Sequence, residues 1–176
     1  SYIRLGVKIC GTMVTIGFYN TLSLIGIERI MGQHYLNTLF APKSVAVFGA
    51  SERADSIGKI VFQNMIESGF QGGLYPINPK SAEIQGRKAY ATIAEIGQPV
   101  EMAVIATPPQ SVPDIIEACG KHGVKAAVII TAGFSETGPQ GQVLEKAVLD
   151  NARLYGIRLI GPNCLGVMRP SIGLNA

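Results

Sequence analysis

The sequence predicts an α/β domain of the Rossmann-like, doubly wound type, with a parallel sheet of about five strands between two layers of helices. From Ser44 onward, short apolar runs alternate with longer stretches of helical period. The runs VAVF, AVIA, AAVII and IRLI are almost wholly apolar, as strands buried on both faces require. With 47% apolar residues among 176, the chain can bury one core and is short for two domains.

The apolar runs predict the strands, and the segments of helical period between them predict the helices. We predict strands over residues 44–48, 73–77, 102–106, 126–131 and 157–160. We predict helices over residues 57–68, 111–122 and 138–155, the first of them ending at Gly69. Helical spacing assigns one apolar face to Ile57, Ile60, Val61, Met65 and Ile66, and another to Val143, Leu144, Ala147, Val148 and Leu154.

Residues 1–30 fit this pattern poorly and are interpreted as an N-terminal extension to a domain at residues 36–176. The apolar stretch at residues 5–27 invites comparison with a signal peptide or a membrane anchor. Lys8 and Asn20 interrupt it, and it has no cleavage site of the small-x-small type. We therefore expect no membrane association.

Charge and cysteine content exclude several classes of function. The net charge of +3 is mild, and the basic residues are scattered without interleaved aromatic residues, so we expect no nucleic-acid binding. Cys10, Cys119 and Cys164 are odd in number and lack CxxC spacing, which argues against a disulfide framework and against a metal site. A reducing cytoplasm is the expected compartment.

The turn after the first strand resembles an anion site in outline. Gly49, Ala50 and Ser51 follow the strand, and Gly58 stands at the start of the next helix. Backbone N–H groups and a helix N-terminus can face a phosphate there. The turn is not a GxGxxG motif, and a glycine turn without any ligand is the alternative interpretation.

The second strand ends in Asn78, Pro79 and Lys80. Domains that bind NAD usually carry Asp or Glu here to hold the ribose hydroxyls. A lysine instead favours an added phosphate, as in NADP or in the 3′-phospho-ADP end of coenzyme A. A solvated turn lysine is the alternative.

The remaining strands also end in turns that would meet at the same crevice. The third ends in Thr107, Pro108 and Pro109, a stiff apolar edge that suits a flat base, a pantetheine arm or merely a helix entry. The fourth ends in Thr131-Ala132-Gly133, and the fifth in the turn that contains Asn163 and Cys164. For Cys164 a packed small residue is favoured over a reactive thiol.

Taken in order, the segments FAPKSVAVFGAS, GFQGGLYPINPK, MAVIATPP, GVKAAVIITAGFSETG and IRLIGPNCLGV resemble the CoA-binding domain of NDP-forming acyl-CoA synthetases. That domain is similar to the N-terminal part of the succinyl-CoA synthetase alpha subunit. The resemblance implies that the loop from Ser51 to Gly58 binds the phosphates of CoA or acyl-CoA and that Lys80 binds the nucleotide phosphates. It also implies that Thr107, Pro108 and Pro109, with Ile130, Thr131 and Ala132, line the adenine side and the pantetheine path.

The resemblance further implies a phosphorylated relay histidine and an ATP-grasp region in other domains of the enzyme. Neither His34 nor His122 matches that histidine, and we assign no catalytic residue to this chain. His122 is expected to be a solvated cap at the end of a helix. We therefore expect a detached module that binds CoA without turning it over, and the oligomeric state stays open.

Three alternatives remain at this point. Bacterial protein lysine acetyltransferases carry a similar region fused to a GNAT domain, and a stand-alone CoA-binding protein would use the same fold. The third alternative is an NADP-dependent oxidoreductase, for which the sequence offers no candidate catalytic residue.

Overall fold

The computed structural model describes the backbone of residues 4–9 and 12–17 and the complete residues 36–176. The first two segments form a hairpin of antiparallel strands, β1 (Arg4–Ile9) and β2 (Thr12–Gly17). The hypothesis of a leader or anchor at residues 5–27 lies largely outside the described residues, and His34 and Cys10 lie wholly outside them. None of the helices in the described part of the chain is long and apolar enough to cross a membrane.

Residues 38–176 form one compact unit with alternating strands and helices. The elements of residues 36–176 are, in chain order, α1 (Asn37–Phe40), β3 (Ser44–Phe48), α2 (Ile57–Glu67), β4 (Gly73–Ile77), β5 (Glu83–Ile84), β6 (Arg87–Lys88), β7 (Met102–Ile105), α3 (Val112–Lys121), β8 (Ala126–Ile129), α4 (Pro139–Tyr155), β9 (Arg158–Ile160), β10 (Met168–Arg169) and β11 (Leu174–Asn175). Single turns of 3₁₀ helix occur at Ile93–Ile96, Pro109–Ser111, Ser135–Thr137 and Pro170–Ile172.

Five of these strands form the central parallel sheet in the order β4-β3-β7-β8-β9. The chain runs from β3 to β4 on one side and then returns past β3 to β7 on the other. This reversal makes the carboxyl ends of β3 and β7 the switch point where open α/β sheets bind their ligands. The fold class and the five strands predicted from the sequence are confirmed, although the last three strands are one or two residues shorter than predicted.

The two faces of the sheet are covered by different helices. Ala46 and Phe48 of β3 belong to a buried cluster with residues of α3, α4 and the turn Ile93–Ile96. Val45 and Val47 are buried outside that cluster, on the face where α2 contacts β3. Because side chains alternate along a strand, α2 lies on the opposite face of the sheet from α3.

Four residues of the predicted apolar helix faces are not buried. Ile57 and Ile60 of α2 are 55% and 51% exposed, and Val143 and Leu154 of α4 are 70% and 73% exposed. The helices are where they were predicted, but each contacts the sheet through a narrower stripe, which contains Val61, Met65 and Val148. Gly69 follows α2 with φ +68°, as predicted for its end.

The sequence did not predict the structure of residues 83–96. Here a short hairpin of β5 and β6 is followed by Tyr90, which pairs with Ile77 at the end of β4. The turn Ile93–Ile96 then packs Ile93 and Ile96 into the core. This segment lies beside the carboxyl ends of β4 and β3.

Candidate functional site

A cleft of about 650 Å³ opens at the carboxyl ends of β4, β3 and β7, beside the switch point of the sheet. It extends along the face of the sheet that α3 covers, between α3 and the segment before β7. Its volume lies within the range of small-molecule and cofactor sites. The residues that line it are Phe48, Gly49, Ile77, Asn78, Pro79, Ala91, Thr92, Ile93, Ala94, Thr107, Pro108, Ser111, Asp114, Ile115, Ala118, Lys121 and His122.

In the turn between β3 and α2, backbone atoms of the strand end and of the helix start are in direct contact. A Cβ at Gly58 would lie 1.9 Å from the carbonyl oxygen of Gly49, and one at Gly49 would lie 2.5 Å from the carbonyl oxygen of Ala106. Gly49 also has φ +85°. Glycine is therefore required at both positions, and the first turn of α2 is held directly behind the end of β3.

Free donors are found at the start of α2. Ser56 caps the helix by accepting from the N–H of Lys59, at 3.4 Å to its Oγ, and the N–H of Ile60 donates to the Ser56 carbonyl at 3.1 Å. The N–H groups of Ile57 and Gly58 precede these first helical bonds and are available to an anion. Ser51 lies in the loop ahead of them, and its Oγ accepts from the N–H of Arg53 at 3.1 Å.

Asn78 ties the end of β4 to the turn after β3. Its Nδ2 donates to the carbonyl of the buried Ala50 at 2.8 Å, and its Oδ1 accepts from the N–H of Lys80 at 2.8 Å. Pro79 lines the cleft, while the Lys80 side chain is exposed just beyond it. The side chain of Asn78 is thus committed to fixing the loop that presents Lys80.

The ends of β7 and β8 are joined by side-chain hydroxyl groups. Thr131 is buried, and its Oγ1 donates to the Thr107 carbonyl at 2.8 Å. Ser111 donates to the Oγ1 of Thr107 at 2.9 Å, and its oxygen also lies 2.8 Å from the Pro108 carbonyl. These bonds hold the turn that carries Thr107 and Pro108 against the cleft.

Pro109 faces the next loop instead of the cleft. A Cβ at Gly133 would lie 2.8 Å from the Cγ of Pro109, so the two residues are in close contact. Ile130 is half-buried and donates its N–H to the Ile105 carbonyl at 3.0 Å, while Ala132 is exposed.

The turn after β9 closes the row of strand ends. Asn163 has φ +53° and donates its N–H to the Thr131 carbonyl at 2.9 Å. The Sγ of Cys164 lies 3.2 Å from the Ile129 carbonyl, and burial raises the pKa of its thiol. A neutral thiol bonded to a strand carbonyl fits the interpretation of Cys164 as a packed turn residue better than that of a nucleophile.

Five of the predicted site residues line the cleft: Gly49, Asn78, Pro79, Thr107 and Pro108. The other nine are not among the lining residues: Ala50, Ser51, Gly58, Lys80, Pro109, Ile130, Thr131, Ala132 and Asn163. Several of them brace the turns that form its edge, as the bonds of Ala50 and Thr131 show. Their contact with a ligand remains a prediction.

Sequence reasoning missed two walls of the cleft. One is the segment of Ala91, Thr92, Ile93 and Ala94 that leads into the 3₁₀ turn. The other is one face of α3, whose lining residues follow helical spacing: Ser111, Asp114, Ile115, Ala118, Lys121 and His122. The helical period of residues 111–122 could have identified this face, but only the sheet order shows that it borders the cleft.

His122 is the C-cap of α3, followed by Gly123 at φ +85°. It was expected to be solvated, but it is half-buried, and its Nε2 lies 3.0 Å from the Gln98 carbonyl. Residues 36–176 contain no group of three or more Asp, Glu, His or Cys side chains arranged to hold a metal ion.

A parallel sheet with a cleft at its switch point and a glycine turn that exposes a helix N-terminus defines an α/β domain that binds a nucleotide-like ligand. Residues 43–170 match the family described as CoA binding domain, and the chain belongs to this family.

Several of its relatives are ADP-forming ligases. The chain is 46% identical to the alpha subunit of acetate–CoA ligase [ADP-forming] I of Pyrococcus furiosus, over 80% of this chain and 31% of that protein. It is 47% identical to acetate–CoA ligase [ADP-forming] of Methanocaldococcus jannaschii, over 82% of this chain and 20% of that protein. Its fold is similar to that of acetyl-coenzyme A synthetase 1 of Ca. Korarchaeum cryptofilum in complex with phosphate and ADP. The TM-score is 0.77 with 41% identity, over 80% of this chain and 30% of that one.

The chain therefore spans less than a third of the length of these relatives. It corresponds to their CoA-binding domain, and the recognition made from the sequence segments is confirmed.

Proposed function

We propose that this chain binds coenzyme A or an acyl-CoA in the cleft and serves as the CoA-binding module of an ADP-forming acyl-CoA synthetase. The full enzyme would convert acyl-CoA, NDP and phosphate reversibly into carboxylate, CoA and NTP. One observation carries the proposal: the apolar cleft lies at the switch point, directly beside a glycine turn that leaves helix N–H groups free. The ligase names of its relatives favour a ligase over an acetyltransferase as the parent.

The geometry suggests how CoA would lie. Its diphosphate would meet the N–H groups of Ile57 and Gly58 behind Gly49, where the helix dipole favours negative charge. Its 3′-phosphate would reach the ammonium group of Lys80 from the loop that Asn78 fixes. The apolar part of the cleft would take the base, and the edge formed by Thr107 and Pro108 would guide the pantetheine arm.

This chain would contribute binding and orientation to the reaction. His122 is held by the Gln98 carbonyl at the far end of α3, and Cys164 carries a thiol with a raised pKa. We assign no step of acyl or phosphoryl transfer to residues 36–176. The CoA thiol would be presented from this domain to catalytic groups elsewhere in the enzyme or its partner subunits.

Calorimetric titration of the chain with CoA, dephospho-CoA and NADP tests the proposal. A Lys80→Ala variant should bind CoA about tenfold more weakly, because a charge-assisted bond to the 3′-phosphate is lost. The same variant should bind dephospho-CoA as the original chain does. Lys43→Ala is the matched control, because Lys43 is exposed ahead of β3 at the opposite end of the sheet.

NADP binding without CoA binding would overturn the proposal, and so would an absence of binding to all three ligands. Equal losses of CoA affinity in Lys80→Ala and Lys43→Ala would show that Lys80 does not contact CoA. They would not contradict CoA binding by the chain.

A further inference from the structure

We propose that Asp114 is the hydrogen-bond acceptor that recognises the 6-amino group of the adenine base, with the base held between α3 and the 3₁₀ turn Ile93–Ile96. This inference rests on the proposed binding of CoA and deepens it by naming a residue that determines base specificity.

The part of the cleft beside α3 is lined mainly by apolar side chains, the chemistry that suits a base pocket. Its floor and walls are aliphatic or aromatic, which suits a flat ring that needs burial on both faces. The apolar residues that form it are Phe48, Ile77, Ile93, Ala94, Pro108, Ile115 and Ala118.

The polar side chains around this pocket already have partners within the protein. Asn78 bonds to Ala50 and Lys80, Thr92 donates to Glu95 at 3.2 Å, and Ser111 bonds to Thr107. The two residues at the far end are engaged as well. Lys121 pairs with Glu117 at 2.6 Å, and His122 lies 3.0 Å from the Gln98 carbonyl.

Asp114 differs from all of these. It lines the cleft at an exposed position one helical turn beyond Ser111, and its carboxylate has no hydrogen bond or ion pair among residues 36–176. A carboxylate can only accept hydrogen bonds, so a ligand group that replaces water beside Asp114 must be a donor. The exocyclic amino group is the donor on the edge of adenine.

The carboxylate would not repel the phosphates of the same ligand. The free N–H groups that suit the diphosphate belong to α2, and α2 covers the opposite face of the sheet from α3. A ligand that crosses the switch point would therefore place its phosphates at α2 and its base beside Asp114. The amino group would then replace water at the one polar lining side chain that has no protein partner among the described residues.

A purely structural role for Asp114 makes a different prediction. An acidic residue in the first turn of a helix stabilises it through the helix dipole. That role would be lost equally in Asp114→Ala and Asp114→Asn, and it would not depend on the base of the ligand.

The test compares adenosine 3′,5′-bisphosphate with the same nucleotide in which hydrogen replaces the 6-amino group. Calorimetry on the original chain should show about a tenfold preference for the adenine nucleotide, the effect of one bond to a charged acceptor. Asp114→Ala should bind both nucleotides with equal affinity. Asp114→Asn should keep part of the preference, because its amide retains an acceptor oxygen. Asp150→Ala is the charge-matched control, since Asp150 lies on the exposed side of α4 outside the cleft, and it should keep the full preference.

Equal affinity of the original chain for the two nucleotides would overturn the role of Asp114, and so would the same preference in Asp114→Ala as in the original chain. Titration with CoA distinguishes failure of the proposed function from failure of the role of Asp114. CoA binding without base preference defeats only the role of Asp114, while failure of the original chain to bind CoA defeats the proposed function and the role of Asp114 together.

Discussion

Gly58 stands so close to Gly49 that a Cβ on Gly58 would lie 1.9 Å from the Gly49 carbonyl oxygen. The first turn of α2 and the end of β3 are thus in direct backbone contact. Because neither atom belongs to a flexible side chain, a larger residue can be accommodated only if the helix start moves away from the strand. The same contact holds the first turn of α2, with its free N–H groups, against Gly49, which lines the cleft.

Gly58→Ala is expected to lower the free energy of unfolding by about 1–3 kcal/mol through overpacking and to weaken CoA binding by moving these N–H groups. Urea denaturation and calorimetry would measure the two effects. Ile60→Ala is the control on the same helix, because Ile60 is exposed and should change neither quantity much. Normal CoA affinity in a destabilised Gly58→Ala variant would show that α2 does not contact the phosphates.

Asn78→Asp is expected to weaken both the fold and the site. The change places a carboxylate oxygen where Nδ2 now donates to the Ala50 carbonyl, at a cost of about 1–3 kcal/mol, and adds negative charge beside the expected phosphate position. The free energy of unfolding and the CoA affinity should fall together.

Asn151 offers a matched control, because its Nδ2 donates to the Pro113 carbonyl at 3.0 Å and neither residue lines the cleft. Asn151→Asp should cost similar stability and leave CoA binding intact. If both variants lost affinity equally, the loss would come from general destabilisation and not from the site.

Cys119 is expected to make the fold sensitive to alkaline pH. It is fully buried in the core on the inner side of α3, and this burial raises the pKa of its thiol from 9.0 to about 12. Above about pH 9 the unfolded chain loses this proton while the folded chain keeps it, so the folded state binds more protons and the free energy of unfolding falls as pH rises. The stabilisation that this thiol gives the fold is fully present below the pKa it has in the unfolded chain. It is lost progressively as pH rises towards the pKa it has in the folded chain.

Urea denaturation between about pH 8 and about pH 11 would measure this slope, which for one group reaches at most about 1.4 kcal/mol per pH unit. Cys119→Ala should flatten it, because alanine has no proton to release. An unchanged slope in that variant would assign the alkaline sensitivity to other groups.

The nearly continuous apolar runs were enough to predict the parallel sheet, because strands buried on both faces leave little place for polar residues. The glycine turn after β3 and the lysine after β4 were equally visible, since each is a local feature of a strand end. The helix faces could not be predicted as well. Ile57 and Val143 follow helical spacing, yet the sheet contacts only part of each apolar stripe.

The sequence by itself determined that this chain is a doubly wound domain with a glycine turn after the first strand and a lysine beyond the second, because short runs of neighbouring residues encode the strands and the turns at their ends. Only the tertiary structure decided which side chains face the cleft and which are already bonded. Thr131 was predicted to line the ligand path, and its hydroxyl bonds to the Thr107 carbonyl. Asp114 drew no attention in the sequence, and its exposed carboxylate has no partner within residues 36–176. The physical reason is that hydrogen-bond satisfaction and burial depend on neighbours that the crossovers between parallel strands bring together from distant parts of the chain.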